Sequence, residues 1–425
     1  LSAAQAQRSA TKIHARLGKA EEDVTGVRDH GGGRTEVERF GHNLLFDANK
    51  VWLHLYTKLW LHFRAHFARG PVSSFRYHLM KTLRFGIIGS GFMGRTHIEA
   101  LKRLPDVKAV AVAGGKRAPG LAQRYGIEFV AAKEDLLRRA DIDAIVITTP
   151  HHLHVDEALE AIAHGKHVLV EKPLATSGAD CERMIAAAKA RGVTLAVGYQ
   201  QRFRVNNQKA CELIRSGVIG QVQAFQVNMP MFAGAIKSGG FGGDWSWWND
   251  PANIGHLLNS SPHAIDLLSW MMQAQVRTVS AFSRTLLPDL PVEDTTVALM
   301  EFSNGAIGTL FSSRALPAPS FPGEDFRFRI IGSDALLDLD AYSELRLSDA
   351  NGWRVVSQQP PVKHEGADTA FADVRMQAYR DQMTAFIDLI HGRPSEVGSG
   401  ESGRAAVAAC RAMLQSSTER RLISL

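Results

Sequence analysis

The chain has 425 residues, 45% hydrophobic, 22% charged and 8% aromatic. That suits two or three globular domains and excludes a disordered chain, a collagen-like fibre and a coiled coil. The net charge of +6 lies almost wholly in residues 1–79, where 12 Lys and Arg face 7 Asp and Glu, so the body of the chain offers no bulk electrostatic case for nucleic acid. No run approaches the roughly 18 apolar residues of a membrane span, so no membrane partner is expected. Cys181, Cys211 and Cys410 fit neither a zinc spacing nor a disulfide framework and point to a reducing, cytoplasmic setting.

Residues 1–79 hold 7 of the 17 histidines and none of the 11 methionines. They read as an N-terminal extension, disordered or non-native, with the functional protein starting at Met80. Trp52, Leu55, Tyr56, Leu59, Trp60, Phe63 and Phe67 recur at helical spacing. They would suit an amphipathic helix on a membrane surface or partner, or they recur by accident in a non-native segment.

From Met80, strands are predicted over 83–88, 107–113, 128–130, 144–148, 167–170 and 194–197. Helices are predicted between them over 94–104, 119–125, 134–139, 153–164 and 177–191. This alternation specifies an α/β fold: a Rossmann-type, doubly wound parallel sheet occupying residues 80–200. After a helix at 207–216 the rhythm changes to strands at 222–228, 276–283, 295–302, 306–312, 326–331, 335–339 and 353–357. Short turns such as Ser303-Asn304-Gly305 separate some of them, and helices close the chain at 375–391 and 401–416. Residues 201–425 therefore read as an α+β domain with an open, mostly antiparallel sheet, for substrate binding and oligomerisation.

Gly89-Ser90-Gly91-Phe92-Met93-Gly94 follows a buried strand and opens a helix, the context a dinucleotide phosphate loop requires. Gly89 permits the tight turn, Gly91 lets backbone approach the pyrophosphate, and Gly94 allows close helix–strand packing. The tip of the second strand, Ala113-Gly114-Gly115-Lys116-Arg117, has no acid for a ribose 2′-hydroxyl. Lys116 and Arg117 can instead meet a 2′-phosphate, so NADP is preferred with NAD possible; the alternative is two solvated loop charges.

Thr148-Thr149-Pro150-His151-His152-Leu153-His154, Gly165-Lys166-His167-Val168-Leu169-Val170-Glu171-Lys172-Pro173-Leu174, Gly198-Tyr199-Gln200-Gln201-Arg202-Phe203 and Ile214-Arg215-Ser216-Gly217-Val218-Ile219-Gly220 follow in order. This succession resembles the glucose-fructose oxidoreductase / inositol dehydrogenase / MocA (Gfo/Idh/MocA) family, from about residue 83 to the C-terminus. The resemblance implies a Rossmann domain followed by an open-sheet domain. It implies an NAD(P)-dependent dehydrogenase acting on a carbinol of a sugar, cyclitol or related small molecule, and a homodimer or homotetramer joined through the C-terminal sheet. It places the catalytic lysine at Lys172 and the catalytic histidine at His263. Asn259 stands where an aspartate is frequent, and His151 where an asparagine is frequent. Thr149, Pro150, His154, Glu171, Lys172 and Arg202 join Phe92 and Met93 on the cofactor side.

Oxidising a CH–OH group requires removal of the hydroxyl proton and a group to hold the developing charge on oxygen. Lys172 lies just past the carboxyl end of a parallel strand, where such sheets bind ligands; a surface lysine paired with Glu171 is the alternative. Ser261 suits an N-cap and Pro262 a first helical position, placing His263 in a first turn whose dipole keeps the ring neutral. A capping or core histidine is the alternative. Asn259 could orient that ring, and Asp266 could orient it or be structural. His151, His152 and His154 lack a metal-ligand spacing, so no metal is expected. Asp244-Trp245-Ser246-Trp247-Trp248 could stack on a ligand ring or pack a loop. Two further readings stay open: an aromatic cis-dihydrodiol dehydrogenase and a non-catalytic NADP(H) sensor.

Overall fold

The computed structural model describes residues 82–232, 246–318, 326–360 and 369–425. The extension with its aromatic pattern, together with Asp244 and Trp245, lies outside the described residues.

The first half alternates as expected. β1 (Leu83–Ile88), α1 (Phe92–Lys102), β2 (Val107–Ala113), α2 (Ala118–Tyr125), β3 (Glu128–Val130), α3 (Lys133–Arg138), β4 (Ala144–Ile147), α4 (His154–Ala163), β5 (His167–Val170), α5 (Gly178–Arg191) and β6 (Leu195–Val197) follow one another. β4 is buried at every position, as a strand covered on both faces must be. Ser177 caps α5 by accepting the Asp180 N–H, and Gly192 ends the helix in the left-handed region.

The second half begins with α6 (Val205–Arg215) and the long β7 (Val222–Phe232). α7 (Gly255–Ser260) and α8 (Pro262–Met272) follow. Two meanders then follow, β8 (Val276–Arg284), β9 (Thr295–Phe302) and β10 (Ile307–Leu316), then β11 (Arg327–Gly332), β12 (Leu336–Asp340), β13 (Glu344–Asp349) and β14 (Gly352–Gln358). α9 (Asp373–Ile390), β15 (Gly398–Ser399), α10 (Gly400–Glu419) and β16 (Ile423–Ser424) complete the chain.

The strands make two sheets. Seven lie in the order β15-β6-β5-β4-β1-β2-β3, parallel except for β15 against β6. Nine lie in the order β14-β13-β12-β11-β7-β10-β9-β8-β16, antiparallel except for β7 beside β10. Along β9, Thr296, Ala298, Met300 and Phe302 are buried while Val297 and Leu299 are exposed, the period of a sheet covered on one face. α10 lies on the covered face, where Ser416 and Ser417 accept hydrogen bonds from the N–H groups of Ala281 and Ser283.

The chain also crosses back. β15 adds an antiparallel edge to the first sheet, and Phe386 of α9 meets Phe85 of β1 edge-on, 6.3 Å between ring centres. Phe386 is fully buried, and truncating such a side chain costs about 3–5 kcal/mol. The nucleotide domain predicted over residues 80–200 is thus finished by residues near the C-terminus.

Candidate active site

Gly89, at the end of β1, has φ +105°, a backbone that side chains rarely adopt. A Cβ on Gly94 would stand 2.2 Å from the Gly89 carbonyl oxygen, so helix and strand touch there through backbone. A Cβ on Gly91 would meet nothing within 4 Å. α1 starts at Phe92, two residues before the predicted start, with no side-chain cap and no acid in its first turn. The N–H groups at this helix start, led by Phe92 and Met93, could hold a pyrophosphate, to which the open side at Gly91 would give access. These residues fit a dinucleotide. Gly114 and Gly115 carry positive φ at the tip of β2, and Lys116 and Arg117 are exposed beside them.

The ends of β4 and β5 are tied by a buried histidine. His154 contacts the Thr149 carbonyl oxygen through Nε2 at 2.9 Å and the Pro173 carbonyl oxygen through Nδ1 at 2.8 Å. Burial lowers its pKa against the opposing pull of both carbonyls. His154 therefore braces the cofactor-side loops from beneath and does not line the cleft itself. Thr149 donates to Glu157 at 2.5 Å, which orients the residue before Pro150. Glu171 is held against buried His97, 2.7 Å from its Nε2. His151 and His152 both turn to Asn253, His151 to its carbonyl oxygen and His152 to its side chain. Among the described residues no three His, Cys, Asp or Glu side chains gather as a metal site.

Lys172 and His263 line one cleft together with Phe92, Met93, Thr149 and Glu171. The Lys172 ammonium donates to the Asn259 carbonyl oxygen at 2.7 Å and approaches its side-chain oxygen at 3.5 Å. Burial lowers the Lys172 pKa while Glu171 raises it. Burial also pushes His263 well below its ordinary value, and Lys172 and Arg204 add to that. Neither ring nitrogen of His263 has a hydrogen-bond partner among the described residues, and Nδ1 is fully buried.

Three expectations are corrected. Asn259 meets Lys172, not the His263 ring. Ser261 gives no side-chain cap: its N–H continues onto the Leu257 carbonyl, so α7 runs into α8 and burial, more than a free helix end, keeps His263 neutral. Arg202 leaves the cofactor side. Its guanidinium grips the Asp266 carboxylate at 2.8 and 2.6 Å and the Glu396 carbonyl oxygen at 3.1 Å. Asp266 is accordingly structural.

Several lining residues went unpredicted: Gln200, Gln201, Arg204, Tyr342, Arg375 and Tyr379. Arg204 follows directly on a motif already singled out, whereas Tyr342 and Arg375 come from distant segments and leave no local signal. Trp247 and Trp248 line the cleft, their rings 6.0 Å apart and nearly perpendicular.

Comparison with known proteins agrees with this geometry. Residues 83–199 match the model of an oxidoreductase family with an NAD-binding Rossmann fold, and residues 207–338 match the GFO/IDH/MocA C-terminal domain. Myo-inositol 2-dehydrogenase of Thermotoga maritima is 25% identical over 81% of this chain and 98% of its own length. Levoglucosan dehydrogenase of Pseudarthrobacter phenanthrenivorans is 26% identical over 55% of this chain and 68% of its own. The crystal structure of GenD2 from gentamicin A biosynthesis, in complex with NAD, superposes with a TM-score of 0.69 at 27% identity, covering 82% of this chain and 97% of that one. With a glycine cradle, a strand-end lysine and both family domains in sequence, the chain belongs to the Gfo/Idh/MocA family and is an NAD-binding oxidoreductase.

Proposed function

We infer that the chain is a dehydrogenase or reductase acting on a secondary alcohol or its ketone in a sugar, cyclitol or related molecule, with NADP preferred over NAD. The observation that carries this is the convergence of two partly buried groups, Lys172 and His263, on the cleft that reaches the glycine turn. The names of the inositol and levoglucosan dehydrogenases among the relatives support the substrate class. The cofactor preference rests on Lys116 and Arg117 and on the lack of an acid at the β2 tip.

The nicotinamide, when bound, supplies the hydride acceptor for oxidation and the donor for reduction. Gly89, Gly91, Phe92, Met93 and Gly94 would hold its pyrophosphate, while Thr149, Pro150 and Glu171 would lie toward the reacting end. His263, whose pKa burial holds well below its ordinary value, accepts the hydroxyl proton in oxidation and returns it in reduction. Lys172, steadied by the Asn259 carbonyl, donates to the same oxygen and holds its charge.

The test is cofactor reduction across a panel of polyols, including myo-inositol and levoglucosan, and aromatic cis-dihydrodiols, with both cofactors. Turnover of polyols supports the reading. Turnover of dihydrodiols alone favours the second reading, for which Trp247 and Trp248 in the cleft speak. Cofactor binding without any turnover favours a sensor. The protein is proposed to be cytoplasmic and to pair through the bare face of its nine-stranded sheet, where Phe282, Val297, Leu299 and Ile307 are exposed. Sedimentation of the parent against a Leu299→Glu variant tests that pairing.

A further inference from the structure

Buried charges in this protein are mostly matched. Arg202 has Asp266, Glu171 has His97, and Lys166 has the carbonyl oxygens of Arg139 and Ile142. Arg204 is the exception at the cleft. It is 2% exposed, yet its Nε and Nη1 have no hydrogen-bond partner among the described residues. Its guanidinium carbon lies 5.1 Å from the centre of the Tyr342 ring. Burial lowers its pKa, and the charge of Arg375 adds to that.

Local structure gives no reason for a cation there. Arg204 ends the 3-10 turn at Gln200–Phe203 and sits at the N-cap of α6, where the helix dipole disfavours positive charge. A buried guanidinium with unmet donors persists where something outside the fold meets them.

The cleft wall favours an anion. Lys172, Arg204 and Arg375 bring three cations, and Glu171, already bonded to His97, is the carboxylate among the described lining residues. Two of those cations are engaged. Lys172 donates to Asn259, and Arg375 donates to the Ala370 carbonyl at 2.6 Å and the Tyr379 hydroxyl at 3.3 Å. One free guanidinium suits one negative charge. Tyr342, on which Arg204 rests, also borders with His263 a hollow beside the cleft, lined by Met229, Met231 and Phe326.

We propose that Arg204 receives a carboxylate of the substrate, so that the alcohol oxidised belongs to a sugar acid or related hydroxy acid. This rests on the dehydrogenase reading of the same cleft and narrows its substrate class.

The experiment is calorimetric binding to the full chain, alone and saturated with NADPH. D-gluconate and D-glucuronate are compared with their neutral counterparts D-glucitol and methyl D-glucoside, and with D-glucose 6-phosphate. At least one acid should bind about tenfold or more tighter than its neutral counterpart, as a charge-assisted contact implies. Arg204→Met should abolish that margin, and Arg204→Lys should keep part of it. NADPH affinity and thermal unfolding of each variant show that it is folded, and Arg204→Gln replaces Arg204→Met should the latter not fold. The proposal is overturned by acids that bind no tighter than their neutral partners, by a margin that survives Arg204→Met, or by tighter binding of the phosphate ester than of either acid. A chain that binds no cofactor defeats the dehydrogenase reading alone, because the acid margin is also measured without cofactor.

Discussion

Arg202 and Arg204 stand two residues apart, and the structure treats them in opposite ways. Behind the turn, Arg202 is clamped by both oxygens of Asp266, so its charge is cancelled inside the fold. On the cleft wall, Arg204, His263 and Asn259 keep buried nitrogens without partners among the described residues. The first region is complete as folded, and the second has donors left over for a ligand. The lesson is that burial alone does not mark a functional charge; an unpartnered charge on the wall of the cleft is the stronger sign.

The widest gap between the two regions is expected in catalysis. Lys172→Ala and His263→Ala should each lower kcat by about 10²–10⁴ while leaving NADPH affinity close to the parent's. Normal turnover in either variant would mean that the substituted residue is not one of the reacting groups of the cleft.

Stability should show the reverse pattern. Arg202→Ala leaves Asp266 buried and uncompensated, at a cost of about 3–5 kcal/mol in denaturant unfolding. Arg204→Met removes a charge that no neighbour needs, and the protein should be as stable as the parent or about 1 kcal/mol more so. Equal losses in the two variants would erase the contrast.

The contrast sharpens at the exposed tip of β2. Losing Lys116 or Arg117 to Ala should weaken NADPH by about ten- to a hundredfold, some 1.5–3 kcal/mol, and leave NADH unchanged. Parallel titrations with both cofactors measure it, and equal affinity of the parent for the two would remove the NADP preference. The smallest effect concerns Asn259. A carboxylate beside Lys172 raises the pKa that burial lowers, so Asn259→Asp should carry the alkaline limb of kcat/KM to higher pH. A limb that stays in place would show that Lys172 is not the group titrating there.

What the sequence revealed follows its range of interaction. The β1–glycine–α1 unit was legible because strand, turn and helix follow one another within one short stretch. Arg202 misled because a motif names neighbours in the chain, while Asp266 lies 64 positions away. The Ser261 cap failed because α7 was not foreseen. Its start at Gly255 uses a left-handed backbone, with Ile254 beside it at φ +62°, and it is anchored by Glu293 from a distant loop. Tyr342, Arg375 and Tyr379 reach the cleft through the sheet and the returning helix, which no local pattern announces.

That return has a consequence for the ribosome. The first sheet lacks its last strand, and Phe85 lacks the ring of Phe386, until the end of the chain has emerged. Between β6 and β15 lie some 200 residues, so at about 5–20 residues per second the early half waits roughly 10–40 s with one edge and part of one face uncovered. A nascent chain of this protein is therefore a client for holding factors during that interval, and fragments cut near residue 200 should be recovered bound to them.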